Sequence, residues 1–297
     1  MQLQALHHVT MITGDAPANV AFYRELLGLR LIKKTVNFDQ PEAYHLYFGD
    51  DGGSPGSVLT WFEFPGAPRG APGAGMIHRL ELGVGGPAAL EFWKHRLDRL
   101  GHRAAEADGR LRFADYDGLE FELAGDTHGN PPLTASHPDV PSDFAIQGVQ
   151  GARAYAADPD SARPLLTEVL GFDHKRDHEY VLGGDDRHVH WGYDQSSERG
   201  REGAGTVHHI AWHSRDEDQV GWQQRVREAG QHVTEVRDRE YFKAIYFRTP
   251  QGILFEIATT SPGFAVDEDP EHLGEQLRLP RRHEHLRDHL ERTLAPL

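Results

Sequence analysis

The sequence predicts an α+β fold of four βαβββ modules that pair into two cup-shaped, mixed-sheet half-barrels. Four helical patterns each end at a glycine: Gly28, Gly101, Gly171 and Gly230. Glycine is the usual residue just past a helix, because it reaches a positive φ without steric cost. A strand-like run precedes each helix, and alternating runs follow each glycine. One such module cannot bury both its helix and a sheet face, so the modules must pair.

The elements follow in the same order in every module. The first strands are HHVTMIT, HRLELGV, ARAYA and HHIAWHS. Helix starts are marked by capping residues or a proline at Asp15-Ala-Pro17, Gly86-Pro87, Asp158-Pro159 and Ser214-Arg-Asp216. Two later hairpins have turns at 115–118 and 249–252, each suited to a type I turn followed by a glycine bulge. The modules therefore span roughly residues 5–64, 76–124, 147–194 and 206–260.

The domain organisation follows from these repeats. Residues 1–124 hold modules 1 and 2, and residues 147–262 hold modules 3 and 4. The stretch 125–146 is rich in Pro, Gly, Ser and Asp and predicts a linker. Residues 263–297 predict a tail helix, whose leucines at 286, 290 and 294 are spaced for packing.

Composition excludes several classes of protein. The 297 residues include 46 acidic and 31 basic ones, a net charge of −15, with no basic tract for a nucleic acid. No apolar run approaches the ~20 residues of a membrane span, and the first residues lack a signal peptide, so we expect a cytoplasmic protein. The absence of cysteine excludes disulfides, thiolate nucleophiles, Cys-ligated zinc and iron–sulfur clusters. Any bound metal must therefore use nitrogen and oxygen ligands.

Candidate metal ligands recur at matching module positions. His-His pairs lie on the first strands of modules 1 and 4, and they place His8 and His209 at the same position. Glu256 lies four residues after a turn glycine, between apolar residues of the last strand. An isolated strand histidine is most often a core residue, but two imidazoles and a carboxylate on rigid strands form a facial triad. Such a triad leaves three open positions and is typical of non-haem Fe(II) oxygenases.

A second set of polar residues lies in module 2. His78 and Glu122 stand at the corresponding first-strand and last-strand positions. In module 3, only His190 could supply a third ligand. Module 3 has Gly151 where module 1 has His8. We therefore expect no second functional metal and expect His78 to pair with Glu122.

The module pattern and the positions of these His and Glu residues resemble those of a known family. Paired modules with His on first strands and Glu on the last are the pattern of the vicinal oxygen chelate superfamily, which includes glyoxalase I, bleomycin-resistance proteins and extradiol dioxygenases. LHHVTMITGDAPANVAFYRELLGLRLIKKTVNFDQPEAYHLYFGD, TVHHIAWH, DREYFKAIYFRTPQGILFEIATTSPGF and DEDPEHLGEQLRLP are similar to the ring-cleaving hydroquinone dioxygenases. The resemblance implies glyoxalase-like halves, an active cup shared by modules 1 and 4, and ferrous iron held by His8, His209 and Glu256.

Further site residues come from strand geometry and the resemblance together. Thr10 lies on the His8 face, two residues further along the strand. The 249–252 turn sets a register that opposes Tyr246 to Glu256, where a phenol can reach a ligand of the metal. The resemblance implies that five residues line the substrate pocket: His7, Thr10, His208, Arg239 and Tyr246. Strand alternation argues against His7 and His208 sharing the direction of their neighbours.

The leading function is an Fe(II)-dependent, extradiol-type dioxygenase that opens a hydroquinone ring with O2. In this interpretation Tyr246 or His208 manages the protons. The metal as purified could also be Mn2+, Zn2+ or Ni2+, and the sequence leaves open a homo-oligomer. One alternative is a glyoxalase-like lyase or isomerase acting through an enediolate, for which Thr60 supplies no obvious fourth ligand. Another is a metal-free binding module like the much shorter bleomycin-resistance proteins.

Overall fold

A computed structural model describes residues 1–297 and contains sixteen strands and four short α-helices. The strands are β1 (Leu6–Thr13), β2 (Arg30–Val36), β3 (Tyr44–Gly49), β4 (Val58–Glu63), β5 (Met76–Val84), β6 (Ala104–Ala107), β7 (Arg110–Ala114), β8 (Glu120–Gly125), β9 (Val149–Ala156), β10 (Asp173–Arg176), β11 (Glu179–Gly183), β12 (His188–Gln195), β13 (Val207–His213), β14 (Arg237–Asp238), β15 (Lys243–Arg248) and β16 (Leu254–Ala258). The α-helices are α1 (Ala16–Val20), α2 (Pro87–Arg99), α3 (Gln219–Glu228) and α4 (Arg287–Thr293). None of them has the length and apolar character needed to cross a bilayer.

The strands form two eight-stranded mixed sheets, which confirms the predicted fold class. The first has the order β14-β15-β16-β13-β1-β4-β3-β2, and the second has the order β10-β11-β12-β9-β5-β8-β7-β6. Module 1 therefore pairs with module 4, and module 2 pairs with module 3. The sheets do not follow the division into residues 1–124 and 147–262, because each sheet takes one module from each range.

Local signals in the sequence set the ends of the helices and hairpins. The four predicted C-terminal glycines all have positive φ, between 69° and 82°. The side chain of Asp15 accepts a hydrogen bond from the backbone N–H of Ala18 and caps α1, which continues as a π-helix over Ala21–Leu26. Module 3 has no α-helix and uses a 3-10 turn (Pro159–Ala162) and a π-helix (Leu165–Val169) in its place.

Strand alternation separates the packed core from the inside of the cup. On β1, Val9 and Met11 belong to the main hydrophobic cluster, whereas Thr10 faces a cavity. On β16, Phe255 and Ile257 enter the same cluster, and the residue between them faces the cavity. Successive side chains on a strand point to opposite faces, so the apolar residues of these strands fix the direction of the polar ones.

The tail contains less α-helix than the sequence predicted. Only Arg287–Thr293 of the tail is α-helical; 3-10 turns lie at Phe264–Val266, Pro270–His272 and Arg281–Leu286, and turns and irregular segments join them. The predicted packing is present, because Leu290 is fully buried in a cluster with Val36 and Leu279. The tail therefore covers the outer part of module 1.

Candidate metal centre

Three side chains from β1, β13 and β16 converge inside the first sheet. His8 Nε2 lies 3.3 Å from His209 Nε2 and 3.5 Å from Glu256 Oε2, and His209 Nε2 lies 2.9 Å from the same carboxylate oxygen. Neighbouring ligands of an octahedral ion with ~2.1 Å bonds are about 3.0 Å apart. No other group of three or more His, Asp or Glu side chains comes together in this way. The structure thus brings together the three ligands predicted from the sequence.

The buried carboxylate tests whether these residues fit a cation. Glu256 has no exposed surface, and neither of its oxygens accepts a hydrogen bond of acceptable geometry. Burial alone would raise the pKa of this carboxyl, but the two imidazoles outweigh it and hold the pKa well below its ordinary value. A buried, charged carboxylate without hydrogen bonds is costly unless a cation compensates it. The two nitrogens and one oxygen therefore fit a divalent metal, with a donor set suited to iron.

The outer nitrogens of both histidines have imidazole partners. His8 Nδ1 lies 2.8 Å from His7 Nδ1, and His209 Nδ1 lies 2.7 Å from His208 Nδ1. A hydrogen bond at the outer nitrogen fixes the tautomer and ring orientation of a metal-binding histidine. The His-His pairs thus prepare both Nε2 atoms to face the same point.

The two flanking histidines differ in their position. His7 is buried behind His8 against Phe242 and does not line the cavity, contrary to the position that the resemblance implied. His208 does line the cavity, with part of the residue exposed and the ring largely surrounded by protein. Burial and the neighbouring His209 lower the pKa of His208 to about 3, so this ring is neutral at pH 7. Strand alternation turns His7 away, whereas His208 has no register partner on β1, because Thr10 pairs with His209 and Met11 pairs with Val207.

Tyr246 lies beside the carboxylate, and the predicted register between Tyr246 and Glu256 is confirmed. Its hydroxyl oxygen accepts a hydrogen bond from Arg239 Nε at 3.0 Å, which leaves the phenol proton free for another acceptor. Burial, followed by the charge of Glu256, raises the pKa of Tyr246 well above its ordinary value, so the phenol stays protonated. Arg239 and Tyr246 both line the cavity.

The cavity has a volume of about 410 Å³ and an aromatic wall. Thr10 lines it on the His8 side, as strand alternation predicted. Sequence reasoning missed His45, Tyr47, Phe62 and Phe242, which also face it. A polar His in the otherwise apolar run YHLYFG of β3 was the available signal for the first of these.

The second sheet has no comparable cluster. His78 Nε2 bonds Asp194 at 2.8 Å and stacks on Tyr155, so the expected pairing with Glu122 is wrong. His190 bonds His128 at 2.7 Å and is likewise remote from a triad.

Strand register explains the difference. Glu81 pairs with Glu122 as Ala211 pairs with Glu256, so Arg79, two residues before Glu81, occupies the place of His209. His78 therefore corresponds to His208, one residue before the ligand position, and both sheets have a register irregularity there, between Ile77 and Arg79 and between Val207 and His209.

The second carboxylate is compensated by guanidinium groups. Arg110 and Arg112 both form hydrogen-bonded ion pairs with Glu122, and Arg79 Nε lies 4.0 Å from it. Burial would raise the pKa of Glu122, but the bonds from Arg110 and Arg112 outweigh it and lower that pKa below its ordinary value. The charge of Glu122 is therefore balanced within the protein.

Fold and cluster together define the class of protein: two half-barrels of paired βαβββ modules, one of which holds a candidate divalent-metal centre. Residues 5–123 and 149–257 match the family model described as the Glyoxalase/Bleomycin resistance protein/Dioxygenase superfamily. The chain therefore belongs to this superfamily, which is also known as the vicinal oxygen chelate superfamily.

Within this superfamily, the chain is most informatively compared with individual ring-cleaving dioxygenases. The chain is 41% identical over 300 residues to "Putative ring-cleaving dioxygenase MhqO" of Bacillus subtilis (strain 168), covering 98% of this chain and 96% of that one. It is 32% identical over 313 residues to the chlorohydroquinone/hydroquinone 1,2-dioxygenase of Sphingobium indicum, covering 99% and 96%. The crystal structure of a putative dioxygenase from Bacillus subtilis subsp. subtilis str. 168 has a TM-score of 0.91 at 40% identity and covers 100% and 98% of the two chains. These similarities confirm the resemblance and support an oxidoreductase of the dioxygenase type.

Proposed function

We propose that this protein is an Fe(II)-dependent dioxygenase that opens the ring of a hydroquinone-type aromatic diol in an extradiol-type reaction. The main support is the facial set of His8, His209 and Glu256, which faces an aromatic-walled cavity and contains three protein donors. The similarity to relatives named as ring-cleaving dioxygenases, one of them for hydroquinone, supports the same substrate class.

The donor set determines how many ligand positions of a bound metal the protein fills. Two imidazoles and one carboxylate supply three ligands on one side, and the protein offers no fourth donor atom within the same group. Bound iron would supply one-electron chemistry with O2 and positions for a substrate oxygen. The residues named here would hold the metal and keep the cavity side open.

The cavity wall selects for a single flat ring. Phe62 and Phe242 line it next to the histidine cluster: the ring centroid of Phe62 lies 6.4 Å from that of His209, and the ring centroid of Phe242 lies 5.2 Å from that of His8. Apolar walls with a few polar groups are typical of small-molecule sites. These aromatic side chains bind an aromatic substrate and limit the water that reaches it.

Tyr246 provides a preorganised donor. Arg239 holds the phenol oxygen, and the raised pKa keeps its proton in place. A donor held in this way stabilises negative charge that develops on a nearby ligand oxygen during the reaction. We therefore assign Tyr246 to charge stabilisation and Arg239 to its orientation.

The glyoxalase-like alternative has less support. Thr60 pairs with Thr10 at the position that corresponds to Glu256, and its hydroxyl bonds to Thr10 and His45. A fourth protein ligand at this position is therefore replaced by a short side chain with other partners.

The test is oxygen uptake with hydroquinone by protein reconstituted with Fe(II) under nitrogen. We expect one O2 consumed per hydroquinone and, with 18O2, both labelled atoms in a ring-opened product. Isomerisation or cleavage of a substrate without O2 uptake would support the lyase alternative. Full hydroquinone turnover by metal-free protein would contradict the proposal.

A further inference from the structure

Four polar side chains form a continuous hydrogen-bonded chain across the cavity wall on β1, β4 and β3. Thr10 Oγ1 lies 3.0 Å from Thr60 Oγ1, and Thr60 Oγ1 lies 2.8 Å from His45 Nε2. His45 Nδ1 lies 2.9 Å from the hydroxyl of Tyr47. Thr60 is the register partner of both Thr10 and Tyr47. Thr10 and Tyr47, the two end members, both line the cavity, so the hydrogen-bonded chain begins and ends at the space where a substrate would bind.

The chain is shielded and has no side branches. Thr60 is fully buried, Thr10 and Tyr47 are each 1% exposed, and His45 is 8% exposed. No other protein group forms a hydrogen bond with these four side chains. Burial, with a smaller contribution from His8, lowers the pKa of His45 well below its ordinary value, so its ring is neutral. A neutral imidazole has one N–H, so one ring nitrogen donates and the other accepts.

Two arrangements of the same four protons satisfy the chain. In the first, Tyr47 donates to His45 Nδ1 and His45 Nε2 donates to Thr60. Thr60 then donates to Thr10, whose own proton points into the cavity. In the second, every bond is reversed, and Tyr47 directs its proton into the cavity. Exchange between them moves the ring proton of His45 from one nitrogen to the other and turns each hydroxyl, with no change in the number of protons.

We propose that His45 and Thr60 couple the hydroxyls of Thr10 and Tyr47, so that one donates to the bound molecule while the other accepts. This specificity device rests on the proposed function, because it requires an aromatic ligand in this cavity. The matching ligand has one oxygen that accepts and one hydroxyl that donates. A singly ionised aromatic diol has both, whereas its monomethyl ether lacks the second donor. His45 acts here as a positioning residue, because both of its nitrogens are occupied within the chain.

The experiment measures binding without turnover. Protein loaded with Fe(II) is kept under nitrogen, and its dissociation constants for hydroquinone and for 4-methoxyphenol are measured by titration calorimetry. Thr10→Val, Tyr47→Phe and the double variant form one cycle. Removing the hydroxyl at one end also reverses the direction in which the hydroxyl at the other end donates. We therefore expect the double variant to lose about fivefold to tenfold less affinity for hydroquinone than the product of the two single losses.

Two further backgrounds interrupt the chain at different points. In Thr60→Val and in His45→Phe, the hydroxyls of Thr10 and Tyr47 become independent. The affinity loss of the double variant should then equal the product of the two single losses to within about twofold. Thr60→Ser keeps the hydroxyl and should restore the non-additive behaviour. Thr35→Val is the matched control, because Thr35 is a fully buried strand residue of the same sheet whose hydroxyl has no partner. In that background the native coupling should persist.

The outcomes separate this inference from the proposed function. Non-additive binding that disappears in both interrupted backgrounds supports the coupling, whether or not the native protein consumes O2. Multiplying losses in the native background, or coupling that survives both interruptions, overturns it even if hydroquinone is cleaved. Equal losses for hydroquinone and 4-methoxyphenol in all variants also overturn it. A native protein that does not bind hydroquinone at millimolar concentration contradicts both proposals.

Discussion

The two sheets share one architecture, but they compensate a buried carboxylate in different ways. In the second sheet, Glu122 occupies the position equivalent to Glu256, whereas Arg79 stands where the first sheet has His209, and Gly151 stands where it has His8. The first sheet thus presents a cluster that fits a metal. The second replaces one imidazole by a guanidinium group and removes the other.

This difference shows which part of the fold carries chemistry. A carboxylate on the inner face of a half-barrel requires positive charge in either sheet. In the second sheet, Arg110 and Arg112 supply it, and no cavity ligand is needed. In the first sheet, no guanidinium pairs with Glu256, so the charge can be balanced by an ion that also faces the cavity. Fold alone does not determine function, and here the residues around the buried carboxylate separate the two outcomes.

The largest effect is expected from His209→Ala. The facial set contains no spare protein donor, so we expect loss of stoichiometric Fe(II) and of hydroquinone-dependent O2 uptake to below detection. Circular dichroism should show a retained fold, because the strand pairing of β13 does not depend on this side chain. Retention of full iron and activity would show that the assignment of the metal site is wrong.

The next largest effect is expected from Tyr246→Phe. Removing one preorganised donor typically lowers the rate by ~10²–10³. The variant should bind iron normally and keep KM for hydroquinone within a few-fold, while kcat falls by that factor. Steady-state O2 uptake on the iron-loaded variant measures it. An unchanged kcat would limit Tyr246 to a packing role.

Glu122→Gln tests the second sheet through stability. The change removes the charged partner of Arg112 and leaves Arg110 only Glu81, at 3.6 Å, so we expect a loss of about 1–3 kcal/mol in the free energy of unfolding at pH 7. The pKa of Glu122 is lowered by folding, so its contribution is full above the unfolded value of ~4.3 and is lost as the pH falls through the folded pKa. Urea unfolding at several pH values should therefore show the difference shrinking below about pH 4. A difference that grows on acidification would contradict this account.

The smallest effect is expected from His78→Ala. It removes the bond to Asp194, which Arg153 continues to hold through two hydrogen bonds. We expect a loss of about 1 kcal/mol in stability and unchanged iron content and kcat. Loss of iron in this variant, with normal iron in His8→Ala, would place the functional metal in the second sheet instead.

Local signals made much of the fold predictable. Each C-terminal glycine and each hairpin turn needs a backbone conformation that a short sequence window reveals. The one-residue error at His78 arose because module 2 has a single histidine where module 4 has a His-His pair, so His78 was matched to His209 although the register matches it to His208. On a strand, one residue separates the two faces.

The candidate ligands were easier to predict than the cavity. His8, His209 and Glu256 carry strong chemical signals at repeated positions, so repetition alone selected them. His45 and Tyr47 lie in a strand whose six residues are all buried, so neither face stands out as polar. Their role depends on Thr60 and Thr10, which are near only after the sheet forms.

The most direct test of the central claim is the number of Fe(II) ions bound per chain by three proteins titrated under nitrogen. The native protein and Glu122→Ala should each bind one equivalent, and Glu256→Ala should bind none, because the metal belongs to the cup of modules 1 and 4. Two equivalents in the native protein, or one equivalent retained by Glu256→Ala and lost by Glu122→Ala, would contradict the account.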